Sequence, residues 1–233
     1  MKILCTICMR GGSKTIKNKN FKKINGIPLM FFTINQAIKS NLFDIVMVST
    51  DSKKIYNYAK QYGAEAWFLR PKKLSTDSSP KLLAIKHALL ESEKKFDTKF
   101  DIVFNLHATA PLRDIKDIKK ALKLFLSENK NQLISVTESY RSPYFNMIEQ
   151  KNKKIHLVKR INKNIFNRQQ TPRVFDLNAS IYIWKRNFLL KSKQIINPNT
   201  SLYIMPKERS IDIDTNFDWK VASYLMSNKL IKK

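Results

Sequence analysis

Apolar residues in this chain arrive in short bursts, and the spacing within each burst alternates between two kinds. Residues 2–9 (Lys-Ile-Leu-Cys-Thr-Ile-Cys-Met) form a run of strand length that breaks at Arg10-Gly11-Gly12-Ser13-Lys14, so a buried strand is expected to feed a turn-rich loop. Pro28 opens a segment in which Leu29, Phe32, Ala37 and Ile38 follow helical spacing. Residues 44–49 read as a second strand, and Ile55, Tyr58, Ala59 and Tyr62 mark the helix after it. A short strand is expected at Ala66–Leu69, a helix through Leu82, Ile85 and Leu89, and a strand at 101–106. Ile115, Ile118, Leu122 and Phe125 mark another helix, and Leu133–Val136 a further strand. Strands alternating with amphipathic helices imply right-handed crossovers and a mostly parallel, doubly wound α/β sheet.

Past residue 138 the rhythm changes. Residues 144–149 and 155–158 read as a hairpin across a lysine-rich turn at 150–154. Residues 169–174 are irregular, 181–184 form a strand, and Phe217, Val221 and Leu225 mark a last helix. Without a repeat or an interdomain linker, the 233 residues are read as one Rossmann-like domain carrying a small β-rich dimerisation or lid insertion at about 140–180.

Composition narrows the class. With 43% hydrophobic residues a sizeable core can form, and no apolar run approaches the ~20 residues that span a bilayer. The chain enters its first strand without the apolar region of a signal peptide, so it is read as cytoplasmic and not membrane-bound. Cys5 and Cys8 have redox-like spacing, but inside a strand residues three apart face opposite sides, which makes them reduced packing residues. The net charge of +26 fits a polyanionic partner such as a nucleotide triphosphate or nucleic acid. The lysines, however, spread over the whole chain with no arginine–aromatic stripe or basic tail, so a specific nucleic-acid module is not expected.

Two sites carry chemistry. In an open parallel sheet, ligands bind beyond the carboxyl ends of the strands. The first such end holds Arg10, Gly12, Ser13 and Lys14, then Lys19 and Asn20: glycine lets the backbone approach a phosphate, and the cations neutralise it. Far along the chain, Asp212 and Asp214 are two residues apart, so an extended segment turns both to one face as hard oxygen ligands for a cation.

These residues stand in a longer pattern: Arg10 to Lys14, Lys19-Asn20, Gly26-Ile27-Pro28-Leu29, Val48 to Asp51, Arg70-Pro71 with Leu74 and Asp77, Thr109 to Arg113, Arg168-Gln169-Gln170, Asn178 to Ile183, and Asp212-Ile213-Asp214. In order and nearly end to end, it resembles the acylneuraminate (CMP-sialic acid) cytidylyltransferase family, and most of all the branch that uses legionaminic acid. The resemblance implies a nucleotidyltransferase sheet, a homodimer and Mg²⁺. It implies that Arg10, Ser13, Lys14 and Lys19 hold the CTP triphosphate, that Gly12 and Asn20 are further nucleotide-binding positions, and that Arg70 contacts CTP near its base and ribose. It makes Asp212 and Asp214 the metal ligands, with Lys19, Arg10 and Asp212 at the chemistry. On the acceptor side it implies His107, Arg168 (near the sugar carboxylate), Gln169 and Asn178. The sialic acid enzymes carry glutamine, proline and serine where this chain has His107, Ala108 and Ala110, so a less polar acceptor than N-acetylneuraminate is expected. The activity implied is transfer of CMP from CTP to the anomeric hydroxyl of a nonulosonic acid. A CMP-Kdo synthetase is the rival reading within enzymes, and a basic nucleic-acid-binding protein the rival outside them.

Overall fold

A computed structural model describes residues 1–13, 15–161 and 166–227. In chain order its elements are β1 (Ile3–Cys8), β2 (Lys23–Ile24), β3 (Ile27–Pro28), α1 (Leu29–Ser40), β4 (Ile45–Ser49), α2 (Lys53–Gln61), α3 (Lys81–Phe96), β5 (Ile102–Leu106) and α4 (Ile115–Glu128). There follow β6 (Gln132–Glu138), β7 (Ile148–Lys151), β8 (Lys154–Leu157), β9 (Phe175–Lys185), α5 (Arg186–Lys191), β10 (Ser201–Ile204) and α6 (Asn216–Ser227). Six strands make one sheet in the order β10-β6-β9-β5-β1-β4, parallel throughout except for β9, which runs antiparallel to both neighbours.

The period of two sorts each strand between two cores. Ile3, Cys5 and Ile7 of β1, with Ile102, Phe104 and Leu106 of β5, meet the inward faces of α1, α2 and α4. Leu4, Val103, Tyr182 and Trp184 point the other way, onto α3 and α5. Cys5 and Cys8 part in this manner and are both free thiols. Helix entries follow local chemistry: the Ser52 hydroxyl accepts from the Ile55 amide, and Asp114 and Asp117 form a reciprocal capping box on α4. Helix exits are more unusual. With four glycines in the chain, asparagine takes half of the left-handed corners among the described residues: Asn41 and Asn129 end α1 and α4, and Asn18, Asn25 and Asn152 shape turns.

Several expectations need correction. Ala66–Leu69 forms no strand; a single bridge between Met47 and Glu65 exists, after which Trp67 and Phe68 leave the sheet edge to pack beside α3. The hairpin is β7–β8, shorter than expected, because Tyr144–Met147 coils around the Ser142 carbonyl and the turn narrows to left-handed Asn152-Lys153. Strand β9 starts at Phe175 rather than 181. Phe217 is exposed on α6, whose inward residues are Trp219 and Ala222. These two close a third apolar cluster with Ile16, Ile24, Leu29, Leu112 and Ile213, which pins the segment around Ile213 beneath the first loop. Among the described residues no helix is long and apolar enough to cross a membrane.

Candidate active site

The carboxyl ends of β1 and β5 open onto a cavity of about 220 Å³ lined by Cys8, Arg10, Gly12, Ser13, Lys19, Asn20, Lys81, His107, Thr109 and Asp214. The loop after β1 is held in shape by its own polar groups. The Gly11 amide donates to Asp51 Oδ1 at 2.8 Å, and Asn20 Nδ2 donates to the Arg10 carbonyl at 3.1 Å. A Cβ on Gly11 would come within 3.0 Å of Ser52 Cβ, so this turn needs glycine to lie against α2. Left-handed Asn18 then starts a single 3₁₀ turn, Lys19–Phe21, that swings Lys19 inward. Lys14 lies outside the described residues.

Lys19 reaches across to the far segment: its Nζ donates to the Ile213 carbonyl at 2.6 Å and to Asp214 Oδ1 at 3.0 Å. Ile213 is fully buried and its amide donates to the Thr109 carbonyl at 2.9 Å, which fixes the two aspartates on either side of it. Asp214 stays 71% exposed at the cavity edge. Asp212 is more enclosed: its Oδ1 is buried without a hydrogen-bond partner, and burial lifts its carboxyl above the ordinary range, with Asp214 adding to the rise and Thr109 opposing it. A buried carboxylate oxygen left without a donor, beside a second carboxylate, suits a hard divalent cation. Among the described residues no group of three or more such side chains gathers, so a cation here would complete its shell from phosphate oxygens and water.

On the opposite wall, His107 is 9% exposed and stacks on Tyr182 at a centroid separation of 5.0 Å. Lys81, the first residue of α3, brings its ammonium 2.7 Å from His107 Nδ1 and into contact with Nε2. Burial, reinforced by Lys81 and Arg113, holds the imidazole pKa well below its ordinary value, so the ring is neutral and accepts a hydrogen bond from the lysine. Burial likewise brings the Lys81 pKa down to about 8. The loop bearing His107 hangs on main-chain bonds. Its amide donates to the Ser180 carbonyl, its carbonyl accepts from Thr33 Oγ1, and buried Arg113 ties Ser180, Thr33 and Gln36 together. Ser180 is positioned by a bulge in β9, where Ala179 adopts a left-handed φ of 46° and the Ser135 hydroxyl fills the gap by donating to Asn178 Oδ1 and accepting from the Ile181 amide.

A neighbouring cavity of about 300 Å³ shares Cys8, Arg10 and Lys81 with the first and continues past Arg70, Ser75, Thr76, Asp77 and Ser79. Arg10 is paired with Asp77 at its mouth. Arg70 is 6% exposed; it donates to the Met9 carbonyl (3.0 Å), the Ser49 carbonyl (3.3 Å) and Ser75 Oγ (2.9 Å), joining the ends of β1 and β4.

The structure therefore brings Arg10, Gly12, Ser13, Lys19, Asn20, His107 and Asp214 to one cavity, with Asp212 behind it and Arg70 in the adjoining one. It does not bring Arg168, Gln169 or Asn178 there. Arg168 and Gln169 line a separate cleft of about 490 Å³ with Glu138 and Ser142, and Arg168 donates to the Ser139 carbonyl. Asn178 is 2% exposed, with both ends of its amide bonded to Ser135 and Ser210. A larger cavity, about 690 Å³, opens at the opposite end of the central strands beside Met1, Phe100 and Phe188, away from all these groups. The sequence reasoning missed Lys81. The available signal was a cation on the first turn of a helix, directly after Pro80, where the helix dipole disfavours it.

Residues 4–226 match the family model described as "Cytidylyltransferase". The chain is 42% identical over 227 residues to "Post-translational flagellin modification protein B" of Campylobacter coli, covering 97% of this chain and 96% of that one. It is 43% identical over 227 residues, with the same coverage, to a Campylobacter jejuni protein named CMP-N,N'-diacetyllegionaminic acid synthase. Among solved structures, a CMP:2-keto-3-deoxy-manno-octonic acid synthetase complexed with CTP superposes with a TM-score of 0.71 at 15% identity, covering 99% of this chain and 100% of that one, which shows the shared fold.

Proposed function

The chain belongs to the cytidylyltransferase family, and on that premise we propose that it transfers CMP from CTP to the anomeric hydroxyl of a nonulosonic acid, releasing pyrophosphate. The observation that carries this reading is the convergence of Arg10, Gly12, Ser13 and Lys19 on one side of a cavity whose other sides hold His107 and Asp214. The full-length likeness to the legionaminic acid synthase supports an acceptor of the legionaminate type.

In this reading the cavity holding Arg70 receives the nucleoside, while Arg10, Ser13 and Lys19, with Lys14 of the same loop, hold the phosphates. The acceptor hydroxyl forms a bond to the α-phosphorus, the bond to the β-phosphate oxygen breaks, and pyrophosphate and a proton leave. Catalysis is then positioning and charge neutralisation by pre-placed cations. Lys19, tethered to Ile213 and Asp214, is oriented before substrate arrives. Asp212 and Asp214 are the residues we assign to Mg²⁺, which when bound supplies Lewis-acid neutralisation of phosphate charge. Arg168 and Gln169 would meet the acceptor from a second copy or after the 140–180 insertion moves. Exposed Ile148, Ile155 and Phe166 on that insertion support a homodimer. We place the enzyme in the cytoplasm, where it would draw on soluble CTP.

The test is pyrophosphate release from CTP and Mg²⁺ with a panel of legionaminate, pseudaminate, N-acetylneuraminate and Kdo. Turnover is expected with the first and at least tenfold lower kcat/KM with N-acetylneuraminate, on the scale of a mismatched polar contact. Preference for Kdo, or no release with any of them, would reject the reading.

A further inference from the structure

Lys81 is an expensive residue for the fold to keep. It sits on the first turn of α3, where the helix dipole disfavours a cation, and no acidic side chain offsets it within that turn. Among the described residues it makes no ion pair; its contacts are the two ring nitrogens of a neutral histidine. Asp212 and Asp214 favour its charge only from a distance, without an ion pair, so part of the cost of enclosing the cation is left for a ligand to meet. The enclosure that lowers its pKa to about 8 is the same observation seen from the proton's side.

Its position says which anion. Lys81 lines both the cavity that carries the phosphate-binding loop and the one that carries Arg70, and it shares that double membership with Cys8 and Arg10. If the first holds the triphosphate and the second the nucleoside, the group at their junction is the α-phosphate, the atom cluster that joins them. Arg10 is at the mouth beside Asp77, and Lys19 is across the cavity against Asp214. We infer that Lys81 is a catalytic residue that binds a non-bridging oxygen of the α-phosphate, and that His107 acts through it, aiming the ammonium rather than reading the acceptor alone. The charge on those oxygens changes as the acceptor hydroxyl bonds to phosphorus and pyrophosphate departs, and a cation fixed there assists without reorganisation.

This inference rests on the cytidylyltransferase reading, so the binding arm of its test uses ligands that need no acceptor. CMP carries the α-phosphate alone and cytidine carries none. The wild type should bind CMP at least tenfold tighter than cytidine, Lys81→Met should bring that ratio close to one with cytidine affinity unchanged, and Lys81→Arg should restore part of it. Turnover of the two α-thiophosphate diastereomers of CTP in Mg²⁺ gives the kinetic arm. The variant should lose much of the wild-type preference between them, which a merely structural role would not alter. A CMP-to-cytidine ratio that survives Lys81→Met, or a rise in acceptor KM with the diastereomer preference intact, overturns the assignment. Failure of the parent reading would appear elsewhere, as absence of wild-type pyrophosphate release with every acceptor.

Discussion

Replacing Arg70 with methionine separates two jobs that one side chain could hold. Methionine keeps much of the volume and removes every donor. Three hydrogen bonds disappear, and their consequences differ. The Ser49 carbonyl still accepts from the Met9 amide at 3.0 Å, and Ser75 Oγ still donates to Pro71, so neither is stranded. The Met9 carbonyl loses its 3.0 Å partner at the point where β1 enters the phosphate loop. A buried acceptor left unpaired costs about 1–3 kcal/mol, and two weaker losses bring the total to roughly 2–4 kcal/mol. For a chain of this size that is a fall in Tm of roughly 5–12 °C. Because β1 and β4 would no longer be tied beneath the loop, CTP affinity should fall as well. Thermal unfolding with and without CTP, alongside CTP titration, reads both effects. A Tm within about 1 °C of wild type with weakened CTP binding would refute the clamp and leave Arg70 as a ligand contact only.

Lys19→Ala should lower kcat/KM by about a hundredfold or more with only a modest fall in Tm, since Asp214 is largely exposed while the Ile213 carbonyl loses its 2.6 Å partner; thermal shift and pyrophosphate assays check both. Asp212→Asn and Asp214→Asn should each remove most activity, EDTA should silence the wild type, and turnover that ignores EDTA would defeat the metal assignment. With Lys81 near pKa 8, kcat/KM for CTP should decline as pH rises through about 8, because the free enzyme loses the cation; Cys8, Arg70, His107, Asp212 and Asp214 surround it, and Lys81→Arg should move the decline upward. Retention on heparin should vanish near physiological salt, and sequence-selective nucleic-acid binding that persists there would contradict the scattered-lysine argument.

The inner sheet was legible because β1, β5 and β6 bury residues on both faces and the longer helices repeat every three or four positions, signals that need no tertiary knowledge. Ala66–Leu69 carries the same apolar signature, yet Trp67 and Phe68 spend it on α3 instead of a strand partner. Strand β10 and helix α5 stayed hidden since Ser201–Ile204 is only four residues long and α5 six. At the site, the loop after β1 and the aspartate pair are local in sequence and could be read directly. Lys81 was not, because its meaning comes from His107, 26 positions away. Arg168 and Gln169 show the converse: local motifs whose distance from the cavity only the fold reveals.

The bulge in β9 has a consequence for how such an enzyme changes its taste. Position 107 gives its amide and carbonyl to Ser180 and Thr33 and only its imidazole to the cavity, while Arg113 and Ser135 secure the surrounding knot from behind. In the proposed reading, scaffolding and selectivity are thus written in different atoms of the same residue. Single replacements at 107 or 108 can then redraw the pocket wall without cutting the bonds that suspend it. A lineage built this way can wander between acceptors one substitution at a time, passing only through folded intermediates.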